Sequence, residues 1–228
     1  MDRAMFRAAL FDLDGLLVDS EPLWRAAEAF VVQAHGRPVT EGDCAMTSGL
    51  RLDEVIAHWL VHFDRPTLAR EPIASAIVEE LLGLLRAKAV AKPGAHELLA
   101  RCRARGLTLA VASSSETRII TAALEALGLS HAFDAVSSAE HVALGKPHPE
   151  VVLRAAAALG ADARACVVFE DSVVGVIAAK AARMACVAVP DFHQKGDPRY
   201  ALADATLRSL ADVDEALLAR LERGQTLP

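Results

Sequence analysis

The sequence predicts an α/β fold, a doubly wound parallel sheet interrupted after its first strand by a block of helices, and three observations carry that prediction. Short apolar runs alternate with helix-period segments through residues 93–189, the pattern of a parallel sheet covered on both faces. The stretch from about 18 to 91 has helix periodicity and no strand-like run. Polar, chemistry-bearing residues follow several of the apolar runs directly, where such a sheet opens its ligand crevice.

Taken in order, residues 7–13 form an apolar strand that ends in acids. Residues 21–35 follow Asp19 and Ser20, which are capping candidates, and Gly36 and Pro38 stop that helix. Residues 52–63 and 72–89 are also helical; Ile73, Ile77, Leu81 and Leu84 recur at one-turn spacing in the latter. The helix at 95–105, closed by Gly106, leads to a strand at 107–112 and a serine run. Helix 119–127, strand 133–137, helix 149–159, strand 166–169, helix 172–184 and strand 186–189 continue the alternation. The fold is therefore Rossmann-like, with residues 1–17 and 92–228 as an α/β core domain and 18–91 as an inserted helical domain.

The composition narrows the function. The chain of 228 residues is 53% hydrophobic with mean hydropathy +0.28, enough to bury a full core. A net charge of -6 and pI near 5.7 offer no overall field for nucleic acid or an anionic membrane surface. No run reaches the ~20 apolar residues of a membrane span, and the first apolar run meets Asp12 and Asp14 too soon for a secretion signal. Cys44, Cys102, Cys166 and Cys186 are scattered without metal-finger spacing and read as reduced thiols. The expected setting is the cytoplasm, the expected state a monomer and the expected partner a small molecule. Five of the 24 basic residues are lysines and nineteen are arginines, so each lysine stands out.

Asp12 and Asp14 lie two residues apart, a spacing that turns both carboxylates to one side of a strand. With Ser113, Lys146 and the pair Glu170-Asp171 they suit phosphoryl transfer, in which the protein positions groups and neutralises charge. Asp12 is the candidate nucleophile and Asp14 the general acid and base. Asp12, Glu170 and Asp171 are hard oxygen ligands of the kind Mg2+ takes. Ser113 would seat phosphate oxygens, and Lys146 would offset their charge. Ser114 and Ser115 fit either substrate contact or helix capping, and Glu116 the start of the next helix.

Phe11-Asp12-Leu13-Asp14-Gly15, Ser113, Lys146 in Gly-Lys-Pro-His-Pro, and Phe-Glu170-Asp171-Ser resemble, in order and spacing, the four motifs of the haloacid dehalogenase-like hydrolases. That resemblance makes the insertion a helical cap domain, adds the Asp14 backbone carbonyl to the metal ligands, and implies a phosphatase acting through an aspartyl phosphate. Within the family, residues 20–24, 49–53 and 180–184 are most similar to hexitol and 2-deoxyglucose-6-phosphate phosphatases. It also puts Arg51 and Trp24 in the cap, Arg51 toward the sugar end of the substrate. Hexose and hexitol phosphates are then the expected substrates. A beta-phosphoglucomutase-like enzyme is the alternative, but such mutases have a histidine at the position of Trp24, and tryptophan cannot relay a proton. A receiver-like phospho-acceptor is the non-enzymatic alternative; the insertion and Asp14 argue against it. Lys180 and Arg183 are expected on the exposed side of their helix.

Overall fold

The computed structural model describes residues 5–33, 47, 49–62, 69–191 and 196–225. The predicted end of the first helix at His35, the end of the second at Phe63, and Cys44 lie outside these residues.

Strands β1 (Ala8–Phe11), β2 (Thr108–Ser113), β3 (Ala135–Ser138), β4 (Cys166–Glu170), β5 (Ala185–Ala188) and β6 (Ala205–Thr206) form one sheet in the order β3-β2-β1-β4-β5-β6, every pair parallel. The fold is the doubly wound α/β architecture the alternation predicts. β1 lies at the point where the strand order reverses, and at such a point the connections diverge to leave a crevice.

Alternation along β1 divides the interior in two. Ala9 and Phe11 enter one apolar cluster, and Ala8 and Leu10 enter the other. On the first face Phe11 stacks on Phe169 at 4.9 Å and meets Phe133 edge-on at 6.0 Å; burying one such ring contributes roughly 1.5–3 kcal/mol.

Helices α1 (Glu21–Gln33), α2 (Leu52–His62) and α3 (Arg70–Lys88) fall between β1 and β2. Ile73, Ile77 and Leu81 of α3 are buried, as the one-turn spacing predicts, whereas Leu84 is only half-buried and Leu85 is buried in its place. These helices share the Phe11-side cluster with α4 (Ala95–Ala104), α5 (Thr117–Ala126) and α8 (Glu215–Glu222). The helices α6 (Glu150–Ala158) and α7 (Val173–Ala181) cover the opposite face. Where the chain leaves and re-enters the sheet domain, the two connecting segments pair: Lys92 N donates to Leu17 O at 2.9 Å and Asp19 N to Val90 O at 2.9 Å.

Several local expectations are corrected. Helix α7 ends at Ala181, and Arg183 beyond it adopts φ 65 in the turn into β5. Lys180 is half-buried rather than exposed and bonds the buried Asp204 at 2.5 Å. Ser20 opens α1, its carbonyl accepting from Leu23 N and Trp24 N, while its hydroxyl donates to Asp14 and Asp19 pairs with Lys92 at 3.4 Å. β6 and α8 were not expected, the first because two residues give no periodicity to read. Among the described residues no helix is long and apolar enough to cross a membrane. Cys102, Cys166 and Cys186 are buried free thiols; burial pushes the first up to about 12 and the second up to about 11.

Candidate active site

The sequence-predicted site residues converge on a cavity of about 450 Å3 between the strand ends and the inserted helices. Asp12, Asp14, Trp24, Arg51, Ser113, Ser114, Ser115, Lys146 and Asp171 all line it, and Glu170 lies beneath, fully buried. Asp12 and Asp14 stand in the loop just past β1 rather than on the strand itself. The Asp12 amide still donates to Phe169 O at 3.0 Å, so the β1–β4 pairing holds it in place.

Lys146 is the ionic centre. Its ammonium donates to Asp12 Oδ1 at 2.6 Å and to Glu170 Oε1, and it is 2% exposed. Burial works against the ammonium, but the Asp12 and Glu170 carboxylates outweigh it and raise its pKa. Glu170 is locked on its other oxygen, where Oε2 accepts from Ser172 N at 2.9 Å and Ser172 Oγ at 3.0 Å. A Cβ on Gly175 would come within 1.8 Å of Glu170 Oε1, so α7 can start here only with glycine.

Asp14 is held differently. Ser20 Oγ and Trp24 Nε1 donate to its Oδ1 at 2.7 and 3.0 Å, and Ser115 Oγ donates to Oδ2 at 2.7 Å. Two of these donors come from the start of the insertion and one from the loop after β2, so Asp14 is bonded to both parts of the molecule. Gly15, at φ 79, makes the turn beyond it; a Cβ there would lie 2.2 Å from Asp171 Oδ2.

The serine run is not a helix cap. Ser113 Oγ accepts from Ser115 N at 3.0 Å, which leaves its own hydroxyl proton to donate. Ser114 Oγ donates to Gly49 O at 2.9 Å. Glu116 occupies the N-cap of α5 without a side-chain cap bond.

Asp12, Glu170 and Asp171 bring carboxylate oxygens within 4.8 Å of one another, all buried. Burial, only partly opposed by Lys146, pushes the Asp12 carboxyl up to about 8. Burial and then the neighbouring Glu170 and Asp12 charges drive Asp171 well above the usual carboxylate range. Three buried carboxylates around one ammonium carry more negative charge than that ammonium offsets, and their oxygens suit a hard divalent cation.

A model of the haloacid dehalogenase-like hydrolases matches residues 6–183, the span that holds every one of these groups. The chain belongs to the haloacid dehalogenase-like hydrolase family. Among members of the family, it is 39% identical to hexitol phosphatase B of Escherichia coli K12 over 207 residues, covering 90% of this chain and 93% of that one. CbbY of Rhodobacter sphaeroides, solved in complex with phosphate, superposes with TM-score 0.86 at 29% identity over 94% of this chain and all of that one. A beta-phosphoglucomutase from Clostridium difficile has the same fold, with TM-score 0.86 at 21% identity over 96% of this chain and 98% of that one.

The family motifs reach Ser20 but do not mark it as a partner of Asp14; the signal is its four-residue spacing from Trp24, which brings both donors to one side. They also gave no sign of Tyr200, whose hydroxyl donates to the Asp171 carbonyl from far along the chain; no local pattern marks it. Glu21, at the start of α1, also lines the cavity. Burial, then Asp14 and Asp191, push its carboxyl up to about 7 against Arg25 and Lys92.

Proposed function

We propose that this chain is a magnesium-dependent phosphatase that hydrolyses small phosphorylated sugars or sugar alcohols, of the hexose, hexitol or 2-deoxyglucose 6-phosphate type, through an aspartyl phosphate on Asp12. The observation that carries this reading is the buried assembly of Asp12, Lys146, Glu170 and Asp171 beside a separately held Asp14. The kinship with hexitol phosphatase B supports the substrate class.

In the first step an Asp12 oxygen attacks phosphorus, the ester P–O bond breaks, and Asp14 gives its proton to the departing alkoxide. In the second, Asp14 takes a proton from water as the water oxygen attacks phosphorus, and the P–O bond to Asp12 breaks. Inorganic phosphate leaves, Asp12 is again a carboxylate and Asp14 again a carboxylic acid. The Ser113 hydroxyl and the adjacent backbone amides hold phosphate oxygens, with Ser114 and Ser115 beside them, and Lys146 neutralises part of their charge. The carboxylates of Asp12, Glu170 and Asp171 and the Asp14 backbone carbonyl would hold Mg2+, Glu170 directly or through water. Glu170, with both oxygens engaged, supports Lys146 and completes the acidic set. When bound, the ion supplies Lewis-acid neutralisation between attacking carboxylate and phosphate.

Residues 18–91 act on this reading as a cap domain that closes the cavity over substrate and excludes water, with 1–17 and 92–228 as the core domain. The paired segments at 17–19 and 90–92 support those boundaries. Trp24 borders the space left for the carbon chain of the substrate. Its indole N–H is a donor only, so it cannot shuttle a proton as a mutase histidine would, and hydrolysis is favoured over phosphosugar transfer. We extend the reading to a monomer in the cytoplasm, where unpaired thiols persist.

The test is phosphate release from a panel of hexose, hexitol and nucleotide monophosphates, with and without Mg2+, by the protein and by Asp12→Asn. Release that requires Mg2+, disappears in the variant and is strongest for sugar or hexitol phosphates is the expected result. Conversion of glucose 1-phosphate to glucose 6-phosphate without net phosphate release would replace this reading by the mutase.

A further inference from the structure

Residues 49–51 of the insertion touch three loops that leave the sheet. The Gly49 carbonyl accepts from Ser114 Oγ at 2.9 Å, in the loop after β2. The Gly49 backbone packs so closely on the start of α7 that a Cβ would lie 2.8 Å from Val174 Cγ2 and 2.9 Å from Ser172 Cβ. Arg51 reaches the third loop, the one that carries Lys146. Its Nη1 donates to Val142 O at 3.1 Å, and its aliphatic stem lies against Gly145, where a Cβ would be 2.8 Å from Arg51 Cγ and 3.1 Å from Cδ.

The guanidinium is held in that pose from its own side. Nε and Nη2 form a fork to Asp53 Oδ1 and Oδ2 at 3.1 and 2.8 Å, and Arg51 N donates to Glu54 Oε2 at 3.2 Å. Arg51, which the family resemblance puts toward the sugar end of the substrate, lines the cavity with three of its donor atoms engaged by Asp53 and the Val142 carbonyl. Val142 and Gly145 flank the segment leading into Lys146, whose ammonium sits between Asp12 and Glu170.

We propose that Arg51 is a positioning residue: it clamps the 142–146 loop from the insertion and thereby sets the place of the Lys146 ammonium against Asp12. The inference rests on the phosphatase reading only for its kinetic consequence. A substrate contact would act on the carbon chain and change with its length. A clamp acts on the phosphate end, which every substrate shares.

The variants are Arg51→Ala, Arg51→Lys and Gly145→Ala; the last leaves the guanidinium in place but forces its stem off the loop, at a glycine without a left-handed backbone. Thermal melts confirm folding first. With a hexitol phosphate and with p-nitrophenyl phosphate, Arg51→Ala and Gly145→Ala should lower kcat by a similar factor on both substrates, roughly tenfold to a hundredfold for a displacement near 1 Å. KM should change far less, and Arg51→Lys, able to reach the Val142 carbonyl with one donor, should recover part of the loss. A loss confined to KM of the hexitol phosphate would make Arg51 a substrate contact and overturn the proposal. Amide hydrogen exchange over residues 142–146 reads the same clamp with no substrate, so it separates this inference from the phosphatase reading. Faster exchange in Arg51→Ala supports the clamp, and unchanged exchange overturns it.

Discussion

The two halves of the cavity are built on different principles. On the sheet side, Asp12, Lys146, Glu170 and Asp171 are buried, Lys146 is ion-paired to Asp12 and Glu170, and the three carboxylates stand at or just past the ends of β1 and β4. On the insertion side, Trp24, Arg51 and Glu21 come from helix starts, remain partly exposed, and spend their polar atoms on residues of the sheet side or on their own neighbours. The carboxylates of the sheet side therefore keep their place from backbone ladders, whereas the lysine loop is also tied to the insertion through Arg51. The insertion side has its geometry only while the two parts are in contact. On the proposed phosphatase reading the first holds the nucleophile, and the second governs access, alignment and choice of substrate.

The sharpest test of that division is Asp12→Asn, which should abolish turnover, a loss of at least about a thousandfold, while the melting temperature shows the fold intact. Lys146→Met should also remove activity and, unlike Asp12→Asn, destabilise the protein. It leaves the Asp12 and Glu170 carboxylates buried without their cation, and breaking such a pair costs about 3 kcal/mol or more, to be read from urea unfolding in metal-free buffer. Trp24→Phe should keep the ring and the fold but lose one charge-assisted hydrogen bond to Asp14, lowering kcat roughly tenfold to a hundredfold. If it lost as much as Asp12→Asn, the insertion would be part of the chemistry and the division would fail.

The smallest effect is on stability alone. Burial raises the Glu21 carboxyl from 4.5 to about 7. A raised folded-state pKa means that the folded protein binds the proton more tightly than the unfolded chain. The stability this contributes is fully present below pH 4.5 and is lost as pH rises through 7. Glu21→Gln should therefore be more stable to urea than the parent at pH 8, by about 1–3 kcal/mol, with the gap closing near pH 4.5. An equal gap at both pH values would mean that the Glu21 charge is not what burial penalises.

The legible parts of the protein share a cause. The strands showed as short apolar runs because both faces of the sheet are covered, and α3 showed because Ile73, Ile77 and Leu81 repeat at the helical period. The acids and the lysine showed because parallel strands end where ligands bind, so each motif sits beside an apolar run. β6 and α8 were missed, one too short for a period and the other beyond the last strand to be read. Ser20 was legible as the residue ahead of a helix, but not the donation of its hydroxyl to the Asp14 carboxylate.

By itself the sequence determined the α/β fold, the helical insertion after the first strand, and the identity of the groups that could transfer a phosphoryl unit. Local chemistry suffices for that, since hydrophobic period and motif order are properties of neighbouring residues. Only the tertiary structure decided which groups are partners: that Lys146 lies between Asp12 and Glu170, that Asp14 is bonded from both parts of the chain, and that the Arg51 guanidinium bonds a carbonyl of the lysine loop. These contacts join residues from 10 to 134 positions apart. Their distances are set by how the helices pack on the sheet, which no local pattern of residues encodes.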